Sequence, residues 1–198
     1  LFVAKSAIQT VVETTAEAEF GLMRYPQLEA IGLNRGEIDG YRYNNYAGLE
    51  DLPLNYAGVC DGSVRPRQNP ATGNSLLVPF DDNNDLAIVR WLDHRENYPR
   101  NRELRATGPT PIVESLNLAR LYLEEVMARD EGLRCRQNVV VLLTDGSESC
   151  VPSAQRVAAL REAAESLRNI TVAQNCLEYR KDLRTVVLAF AVNQTAIN

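Results

Sequence analysis

The chain has 198 residues, 45% of them hydrophobic and 24% charged, which suits one globular domain or one domain carrying a large insertion. Its net charge of −5 and the scatter of its arginines argue against a nucleic-acid surface. No run approaches the roughly 18 apolar residues of a membrane helix, so no helical membrane span is expected.

The segment "LFVAKSAIQTVVE" sets Leu1, Ala4, Ile8 and Val11 at steps of three, four and three, with no N-terminal cap before them. It reads as the middle of a helix, so the chain reads as a piece of a longer protein, and its lack of a leader carries no information. A strand is expected at residues 19–25, stopped by Pro26. Residues 27–74 are rich in glycine, asparagine and tyrosine and show poor hydrophobic periodicity, which marks an insertion. Its tyrosines either pin a long loop to the body or form a recognition surface.

"SLLVPF" at residues 75–80 is a short strand. "NNDLAIVRWLDHREN" is a short amphipathic helix with Leu86, Val89 and Leu92 on one face, and His94 near its end caps or packs rather than catalyses. In the next helix Ile112, Leu116, Ala119, Leu123 and Val126 alternate by four and three. Pro111 suits its first turn and Gly132 closes it. An apolar strand at residues 139–143 follows. Then "SAQRVAALREAAESLRN" places Val157, Leu160, Ala164 and Leu167 on one helix face, and "RTVVLAFAVN" (residues 184–193) is a last strand.

Helices alternating with continuously apolar strands indicate an α/β fold, a doubly wound, mainly parallel sheet with helices on both faces. The expected organisation is a single domain over residues 1–198, interrupted by the insertion at 27–74.

In such sheets ligands gather at the carboxyl ends of the strands. The strand in "NVVVLLTDGSES" delivers Asp145 to that edge, and Gly146 lets the chain turn. "TGPTP" precedes a helix, so Thr110 lies in a loop that can reach the same edge. A hydroxyl and a carboxylate are hard donors, suited to Mg²⁺, Ca²⁺ or Mn²⁺. Taken singly, each residue could equally be a helix cap.

"GPTPIVESLNLARLYL" followed by "NVVVLLTDGSES" resembles the second half of a von Willebrand factor type A domain, and "KSAIQTVVETTAEAEFGLMRY" resembles its first helix and second strand. The resemblance covers nearly the whole chain apart from the insertion. It implies a metal-ion-dependent adhesion site, in which three loops hold Mg²⁺ or Ca²⁺ and the ligand's own carboxylate often completes the shell. Thr110 would ligate the ion directly, and Asp145 directly or through water. The family's Asp-x-Ser-x-Ser motif belongs before the first helix, hence upstream of Leu1. An Asp-x-Ser start at Asp61 to Ser63 lies in the insertion and lacks both the second serine and a preceding strand. The site is therefore expected to be incomplete in this chain.

"CRQNVVVLLTDGSESC", together with the large polar insertion, resembles more narrowly the PilY-type tip adhesins of type IV pili. That resemblance implies an extracellular or cell-surface location and a protein or cell-surface ligand. Pilus subunits and a C-terminal domain of the same protein would be further partners.

Cys60, Cys135, Cys150 and Cys176 have no CxxC spacing and only His94 accompanies them, which is not a zinc pattern. Two disulfides are one reading and four free thiols the other. Cys135 and Cys150 flank a strand that spans on the order of 20 Å, whereas bridged Cα atoms lie within about 7 Å. The expected pairs are Cys135 with Cys176 at the amino edge and Cys60 with Cys150 beside the metal edge.

Three functions compete. The leading one is a binding module, and the second is a metal-independent structural or assembly scaffold. An enzyme is not expected: Ser147, Ser149 and His94 are candidates by type only, and neither a nucleophile elbow nor a P-loop occurs.

Overall fold

A computed structural model describes residues 2–15, 17–25, 75–81, 83–95, 104, 110–130, 132, 136–174 and 177–190. The insertion at 27–74 lies outside them, as do Cys60, Cys135 and Cys176. The chain divides into two units, residues 1–108 and 109–198. The described residues mix helices with strands and contain a small parallel sheet, an α/β arrangement at the coarse level.

The first unit holds α1 (Phe2–Thr14), β1 (Leu22–Met23), β2 (Leu76–Val78) and α2 (Asp85–Val89). β1 and β2 pair antiparallel with an irregular register, Leu22 opposite Val78 and Met23 opposite Leu76. Both strands fall inside the segments expected from sequence but are shorter. Val12, Val78, Ile88, Trp91 and Leu92 form the core, with Ile8, Phe20 and Leu22 packed against it.

Two helix faces differ from expectation. α1 buries Val12, one position beyond the expected Val11, which is 52% exposed. On α2, Leu86 is exposed, Val89 is half-buried and Ile88 is buried instead; just past the helix, Trp91 and the expected Leu92 are buried. The cause lies just before the helix: the buried Asn84 amide donates to Phe20 O at 2.5 Å and Pro79 O at 2.6 Å. Those bonds fix the helix start so that Ile88, not Leu86, turns inward. In a helix of five residues, such anchoring outweighs periodicity.

The second unit holds α3 (Ile112–Arg129), β3 (Val139–Thr144), a 3₁₀ turn (Ser153–Gln155), α4 (Arg156–Arg168), β4 (Asn169–Gln174), β5 (Leu177–Asp182) and β6 (Arg184–Ala189). α3 packs against α4 and β4. Its buried residues include the expected Ile112, Leu116, Ala119 and Leu123, and add Leu118, Tyr122 and Met127. The wider stripe reflects contact on two sides. α4 meets its neighbours through Ala163 and Leu167, while Val157 in its first turn is exposed, contrary to expectation.

β3 and β6 pair in parallel, Val139 opposite Arg184 through Thr144 opposite Ala189. This is the parallel element the apolar strands foretold. Burial does not follow: Val139, Val141, Val186, Val187 and Leu188 are all exposed. Between α4 and β6 lies an antiparallel hairpin, β4 with β5, that was not anticipated. Its signal was present in "NITV", where buried Ile170 and Val172 alternate with exposed Thr171.

Candidate functional site

β3 ends at Thr144, and the turn beyond it is built by that residue. The Thr144 hydroxyl accepts the Gly146 N–H at 3.2 Å and donates to the Gly146 carbonyl at 2.9 Å. Phe190 N, just past β6, donates to Thr144 O at 2.8 Å and so holds the strand end. Thr144 is itself buried. A side chain that bonds its own backbone two residues on defines a tight local turn. Asp145 stands at its tip with an exposed side chain.

Thr110 approaches this turn from another part of the unit. A Cβ placed on Gly146 would meet Thr110 Oγ1 at 3.1 Å, so glycine is what admits the hydroxyl to the Asp145 loop. The two loops are also bonded to each other through the Thr110 backbone and Ser149. Thr110 N donates to Ser149 Oγ at 2.7 Å, and Ser149 N donates to Thr110 O at 3.1 Å.

Glu148 completes the junction. Only 1% exposed, it accepts the Val113 N–H on Oε2 at 2.8 Å and the Cys150 N–H on Oε1 at 2.6 Å. Val113 lies in the first turn of α3, whose orphan N–H groups need acceptors. The residue before α3, Pro111, makes no side-chain cap bond, so Glu148 caps the helix from a distant segment. Neither capping role considered from sequence applies: Thr110 does not cap α3, and Asp145 caps neither the 3₁₀ turn nor α4.

The residues expected at this edge, Thr110 and Asp145, thus lie on two loops that the structure joins. Glu148 and Ser149 were missed as the joining groups. Ser149 left a signal, since Asp145, Ser147 and Ser149 form an Asp-x-Ser-x-Ser spacing directly after an apolar strand. Glu148 left none, because a glutamate between two serines in a polar loop reads as solvated.

The expected donor set is hard oxygen only: the Thr110 hydroxyl and the Asp145 carboxylate. By type it fits Mg²⁺ or Ca²⁺. Among the described residues no three His, Cys, Asp or Glu side chains gather as a metal-binding group. A cation held by Thr110 and Asp145 alone would rest on one charged ligand, and affinity rises with ligand number and charge.

Cys150 is disulfide-bonded, and each cysteine that could be its partner lies outside the described residues. His94 packs: its ring stacks on Phe2 with centroids 4.0 Å apart. Ser6 Oγ lies 3.4 Å from His94 Nε2 but donates to the Phe2 carbonyl at 3.2 Å. His94 has a φ of 59°, in the left-handed region. No helix among the described residues is long and apolar enough to cross a membrane.

No family model matches this chain, and neither a curated protein nor a solved structure does.

Proposed function

We propose that the chain is a von Willebrand A-like, doubly wound adhesion module that binds a protein or cell-surface ligand through a divalent cation. The cation, Mg²⁺ or Ca²⁺, would be held by Thr110 and Asp145 at the carboxyl edge of the β3–β6 pair. It would offer an open coordination position to a ligand carboxylate. The motifs "GPTP" and "LLTDG" support the von Willebrand A-like reading, and the cysteines around the latter together with the polar insertion support a setting in a pilus-associated protein at the cell surface. There, pilus subunits and a C-terminal domain of the same protein are the expected neighbours.

One observation carries the reading: the Thr110 hydroxyl sits against Gly146, beside an exposed Asp145, with both loops bonded to each other. A helix-capping role would direct these side chains to helix N–H groups, and neither α3 nor α4 has a side-chain cap from them. Titration calorimetry of the chain with Ca²⁺ and with Mg²⁺ tests the proposal. Binding with Kd of about 10⁻⁴ to 10⁻³ M is expected, the range of extracellular modules. It should be abolished by a chelator and by Thr110→Ala or Asp145→Ala. A wild-type chain that takes up neither cation would leave the scaffold reading in its place.

A further inference from the structure

A glutamate in a polar loop ordinarily stays in water, because burying a carboxylate without partners is costly. Glu148 is nonetheless buried, and no ion pair among the described residues includes it. Its compensation is entirely backbone: one N–H from α3 to one oxygen and one from its own loop to the other. The positive end of the α3 dipole adds to this. The helix start is thereby filled from within the molecule, and the Val113 N–H is not open to a ligand anion.

The two carboxylate bonds are flanked by the reciprocal pair between Thr110 and Ser149. Three of these four bonds connect the short stretch after β3 to Thr110 and the first turn of α3, and the fourth, from Cys150 N to Glu148 Oε1, holds the stretch itself. They lie on adjacent residues, so loss of the central buried carboxylate should loosen the outer pair as well.

We infer that Glu148 is the positioning residue of this edge, a buried clamp that holds the Thr110 loop and the Asp145 loop as one body. Its role in cation binding rests on the function proposed above; its role as a clamp does not. The Glu148 carboxylate hydrogen-bonds neither Thr110 nor Asp145, and acts through Val113 and Cys150. Glutamine at this position keeps the shape but offers one acceptor oxygen where two are used, and turns an amide N–H₂ toward a backbone N–H.

Amide hydrogen exchange followed residue by residue tests the clamp without any cation. In Glu148→Gln, exchange at Val113 and Cys150 should accelerate. The deciding readout is Thr110 and Ser149, whose amides do not donate to the Glu148 carboxylate: they should accelerate together with the others, by about tenfold. Acceleration confined to Val113 and Cys150 would overturn the inference. Ser149→Ala gives the reciprocal test should Glu148→Gln fail to fold. It should speed exchange at Val113 and Cys150, and unchanged rates there would equally overturn it.

Ser115→Ala is the control for a merely structural effect, since it removes the 2.7 Å bond from Ser115 Oγ to Pro111 O at the same helix start. It should leave Thr110 exchange unchanged; an effect equal to that of Glu148→Gln would count against the clamp. With Ca²⁺ and Mg²⁺ added, Glu148→Gln should weaken binding about tenfold while Ser115→Ala does not. Equal binding by wild type and Glu148→Gln would overturn the positioning role. A wild type that binds no cation would defeat the proposed function, and the exchange result would still decide the clamp.

Discussion

Helix α3 and the β3–β6 pair are built from similar aliphatic residues and meet opposite fates. Leu118 and Met127 on α3 are 0% and 1% exposed, whereas Val141 on β3 and Val187 on β6 are 51% and 57% exposed. α3 finds α4 on one side and β4 on the other, so a helix with a broad apolar stripe closes a core within its own unit. In the parallel pair, alternate residues share a face. The register thus aligns Val139, Val141 and Leu143 with Arg184, Val186 and Leu188. That face is open at Val139, Val141, Val186 and Leu188. An apolar pattern states which residues can be buried; whether they are depends on which elements arrive to cover them.

The comparison predicts its own largest effect on α3. Leu118→Ala should destabilise by about 2–5 kcal/mol, the range for a fully buried leucine whose surroundings cannot collapse. Denaturant unfolding measures this directly. A loss below about 1 kcal/mol would mean that the helix is not the closed core described, since that is the scale of substitutions at partly exposed sites.

A middle-sized effect is expected where the two regions meet, at the turn after β3. Gly146→Ala would bring a methyl group 3.1 Å from Thr110 Oγ1, closer than such contacts normally come. Thr110 is tied through its N–H and carbonyl to Ser149, so its loop cannot simply retreat. A cost of about 1 kcal/mol is expected, at the lower end for overpacking. Faster exchange of the Thr110 amide should accompany it. Full stability with wild-type exchange would show that the two loops are farther apart in solution.

How far the sequence disclosed this arrangement varies by element. The heptad-like stripe of α3 was legible because eighteen residues average out local accidents. Four of its five expected core positions are buried, and the fifth, Val126, is half-buried. The helix α2 was legible but its buried face was not, since five residues sample little more than one turn and Asn84, outside the helix, sets its rotation. The β4–β5 hairpin was hidden by the end of α4: Arg168 closes the helix and Asn169 already opens the strand, leaving no turn residues to mark the change. At the candidate site, Thr110 and Asp145 were legible as residues delivered to one edge by strand and helix ends. Glu148 was not, because its burial arises only when the opening of α3 arrives from 35 residues away.

The smallest effect tests the open face itself. Val141→Thr keeps the β-branched shape that suits a strand and adds a hydroxyl. At a position half exposed, that hydroxyl stays hydrated, so the change should shift stability by no more than about 0.5 kcal/mol. Val186, its in-register neighbour, should respond in the same way. The double variant is informative because the two residues are paired across the strands. If the face is open, the two changes should add to within about 0.5 kcal/mol. If instead each costs about 1.5 kcal/mol or more, approaching a buried polar group without a partner, the face is covered in solution. The parallel pair would then be as closed a core as α3, and the contrast between the two regions would disappear.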